Sequence, residues 1–373
     1  MGILDMGNIF RTLINFRLKS FMVLLFWIGC QQNGYSFDKV EDFDSDSSIR
    51  HRYDQSLETI SVLLDQNGSF KLAVFEVESA FYPNKSDQTL FYKSIDQLAR
   101  LCQALANTKK NSEIINADSL NFLLNYSIFS AVHDTLYIFS DSLYLGHKPY
   151  RYNFEDPDGT ADWSNTFVSR LLLTHTGNCR SLSYLYKIIA DELHAKCWLA
   201  LAPNHIYIRN YSSKIGWYNT ELSSGVFPTD AWIAMTGYIS TDAIRSGVYM
   251  DTLSNQQSIA LCALDLGKGY ELQTHNYYDG FILKCCDLAL KYFSVNPQAL
   301  LLKAETLQKL YLRQKRGGKT GAAATYEEME KTYITLAKLG NREMPEKMYK
   351  QWLQTLAREK EKYSDKRISI SGK

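Results

Sequence analysis

Between Ser181 and Leu193, the residues Leu182, Leu185, Tyr186, Ile189 and Leu193 share one helical face, and three strand-like runs follow at Trp198–Ala202, Ile206–Arg209 and Trp217–Leu222. This order constrains the middle of the chain. A helix with one apolar face needs a partner to cover it, and consecutive strands joined by short connections pair antiparallel. Two reactive side chains stand at the edges of these elements. Cys179, in Gly177-Asn178-Cys179-Arg180, lies at or just before the first helical turn, where free backbone N–H groups and the helix dipole favour a thiolate. His205, in Pro203-Asn204-His205-Ile206-Tyr207, stands at the mouth of the second strand and can pair with a thiol as its base.

The flanks have a different texture. From Leu57 to about Leu145 the apolar spacing is mostly helical, with breaks at Asn67-Gly68 and Pro83-Asn84. A turn-rich stretch follows, from Tyr150 to Trp163, and contains Asp156, Asp158 and Asp162. Its spacing lacks the ordered ligand positions of an EF-hand, so helix capping is the expected role of these aspartates. After Pro228 the pattern is helical again. Leu266-Gly267-Lys268-Gly269-Tyr270 matches the Leu-Gly-x-x-Tyr core of a tetratricopeptide repeat, and Phe281–Tyr292 with Asn296-Pro297 resembles its partner helix and boundary. One or two repeat-like hairpins packed against the core are expected.

A chain of 373 residues suits two or three domains. Its composition, 45% hydrophobic and 22% charged, belongs to a folded protein. The net charge of +1 carries no signature of a nucleic-acid binder. The stretch from Lys303 to Lys373 is basic, and solvated helix faces account for it.

The N-terminus reads as an address. Arg11, Arg17 and Lys19 precede an apolar run from Phe21 to Ile28, too short to span a bilayer but suited to a signal-peptide core. The run ends at Trp27-Ile28-Gly29-Cys30, which resembles the lipobox of bacterial lipoproteins; that resemblance implies acylation of Cys30 and an envelope location, facing the periplasm or cell surface from the outer or inner membrane. The acidic, serine-containing stretch that follows suits a tether. The expected organisation is a signal peptide over 1–30, a flexible tether over 31–52, a helical region over 53–150, an α+β core over 151–230 and a helical, tetratricopeptide-like region over 231–373. Of seven cysteines, Cys102, Cys197, Cys262, Cys285 and Cys286 sit in apolar contexts and are expected to be buried and free.

The order of elements, with Asp162-Trp163, Gly177-Asn178-Cys179, Asn204-His205 and Gly216-Trp217, resembles the transglutaminase-like superfamily over roughly Asp156 to Glu221. The resemblance implies an α+β, papain-like core in which a thiolate at Cys179 attacks an amide or acyl carbonyl, with His205 as general base and acid. A turn centred near Ser213 would place Glu221 opposite His205, with Asn219 one diagonal step away. The family usually has Asp at the position of Glu221. Glu221 is therefore the expected third member, with Asn219 in reserve. The backbone N–H of Cys179 is the expected oxyanion donor, and Trp163 a weaker candidate. Arg180 is expected to be solvated, His175 to be a loop residue, and Tyr207 and Trp217 to be cross-strand core partners.

The function expected from this reading is a membrane-anchored cysteine hydrolase or acyltransferase acting on an amide bond of a peptide or cell-wall peptide. Its alternative is an inactive transglutaminase-like scaffold that binds an envelope protein or glycan. Neither a zinc-protease nor a phosphate-loop motif is present, so no cofactor or metal is expected. The expected partners are the peptide substrate, the membrane through the lipid anchor and a protein at the C-terminal helices, with no nucleic acid.

Overall fold

Capping residues fix where many of the helices begin. Ser69, Asn116, Asn178, Thr229, Ser240, Ser254 and Asn296 each accept a hydrogen bond from a backbone N–H of the turn that follows. The structure, a computed structural model, describes residues 46–373 except 83–86, 109–115, 141–142, 319, 343, 364–366 and 372–373. The leader, Cys30 and the tether as far as Ser45 lie outside the described residues.

The described chain is α+β and mostly helical. It opens with four helices: α1 (Asp46–Asp65), α2 (Phe70–Phe81), α3 (Gln88–Thr108) and α4 (Ala117–His133). Then come β1 (Thr135–Ser140), β2 (Leu143–His147) and the short β3 (Arg151–Tyr152). The central run is α5 (Val168–Thr174), β4 (Thr176–Gly177), α6 (Cys179–Glu192), β5 (Trp198–Ala202), β6 (His205–Ser212) and β7 (Gly216–Thr220). Short α7 (Asp230–Thr236) and α8 (Thr241–Arg245) lead to the long α9 (Asn255–Thr274), α10 (Phe281–Tyr292), α11 (Pro297–Arg316), α12 (Ala322–Lys338) and α13 (Glu346–Tyr363). The chain closes on β8 (Arg367–Ser371). Among the described residues, no helix is long and apolar enough to cross a membrane.

Two expectations about the flanks need correction. Helix α1 starts at Asp46, inside the stretch whose composition suits a tether. Packing explains the difference: Tyr53 is fully buried, with its ring edge-on to Tyr270 and Phe281, and Arg50 pairs with both Asp54 and Asp279. The second correction concerns strands within stretches read as helical. β1 and β2 form an antiparallel hairpin, and β8 joins β1 in parallel, giving the order β2-β1-β8. β8 has no local partner in sequence, since the strand it joins lies more than two hundred residues earlier.

Helix α9 is the centre of the packing. It is buried along most of its length and lies against α1, α2 and α10. Gly267 permits the close approach to α10, since a Cβ there would come within 2.9 Å of the Cys285 Cβ. Part of the repeat-like Leu-Gly-Lys-Gly-Tyr pattern is thus a contact requirement. Helices α10, α11 and α12 then pack each on the next.

The central sheet runs β5-β6-β7, antiparallel throughout, and α6 lies on β6. The Ser183 hydroxyl donates to the Ile206 carbonyl across that contact, and the Tyr186 hydroxyl bonds Asn125 of α4. Cys102, Cys179, Cys197, Cys262, Cys285 and Cys286 are all buried free thiols.

Candidate active site

Cys179 is the first residue of α6, placed there by the residues on either side of it. The Asn178 side chain accepts from the N–H groups of Arg180 and Ser181, while the Ser181 hydroxyl accepts from the Asn178 N–H and donates to the Asn165 carbonyl. These bonds form a capping box. The Asn178 cap does not engage the Cys179 N–H, the first amide of the helix.

Gly177 completes this seat. A Cβ at Gly177 would lie 2.2 Å from the Ser181 hydroxyl oxygen and 3.1 Å from the Asn165 carbonyl oxygen. Gly177→Ala is therefore expected to dislodge the cap and cost about 1–3 kcal/mol, the usual range for overpacking. A urea midpoint should fall accordingly, and an unchanged midpoint would show that the seat yields without strain.

His205 opens β6 immediately after the tight connection Pro203-Asn204, where Asn204 takes φ 54°. Proline before a left-handed asparagine suits such a turn, and the closing pair is Ala202 with His205. The imidazole is buried. Its Nε2 lies 2.6 Å from Glu221 Oε2, and the other Glu221 oxygen accepts from the Ser223 N–H at 2.9 Å. Cys179 meets the same ring through its charge and a side-chain hydrogen-bonding approach. Because Nε2 is taken by Glu221, Nδ1 is the atom left for the sulfur. It is buried without a closed hydrogen bond, so the thiol is near but not locked in place.

Burial opposes a charged imidazole, but Glu221 and then Cys179 outweigh it and push the His205 pKa up to about 10. Burial would raise the Glu221 carboxyl; the charge and hydrogen bond of His205, with Ser223, instead hold it below its ordinary value. The arrangement is an imidazole held by a carboxylate, with the Cys179 side chain in its electrostatic reach.

The β6–β7 register differs from expectation. Ser212 pairs with Gly216 and Arg209 with Asn219, so the turn is centred on Lys214. Glu221 lies just beyond β7, held by mutual backbone bonds with Val226, and its side chain crosses diagonally to the ring. Gly216, at φ 78°, permits the longer loop. Asn219 is directed elsewhere: its amide donates to the Pro228 carbonyl and Asp230. Tyr207 is buried as expected, but Trp217 is half exposed and stacks edge-on with Tyr211 and Trp198. The pair Tyr207 and Trp217 cannot be core partners because their side chains stand on different strand positions with different burial.

The remaining candidates also settle into places. Arg180 is not solvated: its guanidinium is buried against Asp265 of α9, with Tyr184 and Gln298 alongside. The buried Trp163 indole nitrogen lies beside Gly269 of α9. His175 caps α5 with φ 55° and stacks on Tyr150. Asp156 gathers the turn-rich loop by accepting from the Ala161 and Asp162 N–H groups and from Asn165, while Asp162 caps the short turn at Ser164. Among the described residues, no group of His, Cys, Asp and Glu is arranged to hold a metal ion.

Three further residues belong to the site and gave no local signal. Tyr152 pairs across the strands with Gly177 and lies in the electrostatic neighbourhood of Cys179, Tyr349, Asp158 and Glu221. Trp352 of α13 stands edge-on to His205, with ring centroids 4.9 Å apart. Tyr349, one helical turn earlier, stacks on Trp352 and donates its hydroxyl to Asp158. Their helix is remote in sequence, and only the Trp352 and Leu356 spacing hints at a buried face.

Compared with family models, curated proteins and solved structures, the chain gives no significant match.

Proposed function

We propose that this chain is a cysteine hydrolase or acyltransferase with a papain-like, transglutaminase-like core, tethered by an acylated Cys30 at a bacterial cell envelope and acting on an amide bond of a peptide or cell-wall peptide. The observation that carries the reading is the Glu221–His205 hydrogen bond at 2.6 Å, with Cys179, at the start of a helix, in the electrostatic reach of the same ring. In this reading the Cys179 sulfur, as thiolate beside protonated His205, bonds to the acyl carbon, the C–N bond breaks and the cleaved amine leaves with the proton from His205. Water or an acceptor amine then attacks the thioester, giving its proton to His205 and expelling the sulfur as thiolate, which restores the starting pair. The Cys179 N–H supplies the oxyanion donor.

A screen of peptide and cell-wall amides, comparing wild type with Cys179→Ala, tests the reading. Turnover should fall about 10⁶-fold in the variant, as for removal of a triad nucleophile. Activity that survives in Cys179→Ala would overturn it. A non-enzymatic scaffold is the second reading, favoured by the packing of Trp352 over His205; it predicts retention of binding without turnover. The tetratricopeptide-like helices are the proposed surface for a protein partner in either case.

A further inference from the structure

The cleft beside His205 is filled by the protein's own C-terminal helix. Its walls are Ala202, Pro203, Tyr207, Trp232 and Ile233, with Trp352 of α13 closing it. About 10 Å³ of free space remains, roughly what a single water requires and far less than a peptide residue. Trp352 and Leu356 are buried on the inner face of α13, and Phe154, Trp232, Met348 and Leu353 pack around them. Cys179 itself is only 9% exposed. Two residues of α13 thus face the pair: Trp352 packs on the His205 ring, and Tyr349 lies in the electrostatic neighbourhood of Cys179.

The cover is held by contacts of a releasable kind. The Tyr349 hydroxyl reaches Asp158 in the turn-rich loop, and the Lys360 ammonium stands over the Phe154 ring at 5.5 Å. Both contacts are partly solvated and individually modest. The sequence reinforces this asymmetry: α13 is rich in Lys and Glu on its outer face, and the large apolar residues it packs inward are confined to Met348, Tyr349, Trp352, Leu353 and Leu356. By contrast, α6 and α9 are buried along most of their lengths.

We propose that α13 is a displaceable plug: it holds the Cys179–His205 pair shut, and its opening exposes an apolar pocket that takes a bulky aromatic side chain of the substrate where Trp352 now sits. The proposal rests on the cysteine-enzyme reading for the identity of the substrate, but not for the movement of the helix.

Three measurements on the full chain test it. Hydrogen exchange of the wild type should show α13 amides opening well before those of α6; equal protection in the two helices would overturn the plug. Alkylation of Cys179 by iodoacetamide should accelerate about tenfold in Trp352→Ala and severalfold in Tyr349→Phe, a variant that leaves the His205 contact intact. Unchanged rates in both variants would overturn the plug as well. Finally, in Trp352→Ala, a phenylalanyl chloromethyl ketone should alkylate Cys179 about tenfold faster than its glycyl counterpart, each forming a C–S bond and expelling chloride. Equal rates would overturn the aromatic pocket. Adding His205→Ala separates the two ideas: acceleration on opening that does not depend on His205 keeps the plug and removes the enzyme reading, whereas His205-dependent labelling without acceleration does the reverse.

Discussion

Replacing His205 by Ala should slow alkylation of Cys179 at about pH 7 by at least about tenfold, while leaving Cys102 and Cys262 as unreactive as before. The comparison is internal. Burial raises the Cys102 thiol and raises Cys262 well above its ordinary value, so neither supplies an accessible thiolate near neutrality. At Cys179 a buried imidazolium is the adjacent cation, and the alanine variant removes it. Glu221→Gln gives the more specific result. In the wild type, His205 keeps its proton up to about pH 10, so titration of the imidazole should add no step to the labelling profile within the neutral range. Without the carboxylate, burial acts on the ring with less opposition and lowers its pKa; labelling should then acquire a step within the neutral range.

The same pair makes a prediction for stability, with the sign set by both groups. His205 has a folded pKa raised above its ordinary 6.5, so its contribution is fully present below that value and is lost as pH rises through about 10. Glu221 has a folded pKa below its ordinary 4.5, so its contribution is present above that value and is lost in acid. The stability difference between wild type and Glu221→Gln should therefore be greatest between about pH 4.5 and 6.5 and shrink towards both extremes. Urea titrations across pH measure it, and a difference independent of pH would show that the two charges are not coupled.

How much of this site could be read beforehand follows from where its signals lie. Cys179 is marked by a helix cap, His205 by a Pro-Asn turn and Glu221 by a strand end, and each of these is a property of a few adjacent residues. Their helix and sheet also carry a hydrophobic pattern that fixes which faces meet. Register was less legible, because it depends on a loop in which Gly216 admits one more residue than the simplest turn. The residues that surround the site were not legible at all. Trp352, Tyr349 and Asp158 reach it only through tertiary packing, and a Lys- and Glu-rich helix does not announce that one of its faces lies on an imidazole. Arg180 fails in sequence for the opposite reason. An arginine beside a helix start looks solvated until a buried acid on a distant helix is placed against it.

That buried acid leads to the largest expected loss of stability. Asp265→Asn should destabilise the protein by about 3–5 kcal/mol, because it leaves the Arg180 guanidinium buried without its counter-charge. The environment is dry enough to matter. Burial dominates at Asp265 and raises its carboxyl above the ordinary range despite Arg180, while at Arg180 the charge of Asp265 outweighs burial and keeps the guanidinium protonated. The two charges thus depend on each other more than either contributes alone. Arg180→Met combined with Asp265→Leu should accordingly recover most of the lost stability, leaving only the Tyr184 hydroxyl and Gln298 to find new partners. Urea midpoints for both singles and the double complete the cycle, and additive losses would show that the pair is not coupled. The consequence reaches the site because Arg180 follows Cys179 directly. Its clamp fixes the first turn of α6 to α9, so Asp265→Asn should also disturb the position of the thiol and slow its labelling even where the chain remains folded, whereas the apolar double variant, which restores packing but not direction, should recover stability more fully than reactivity.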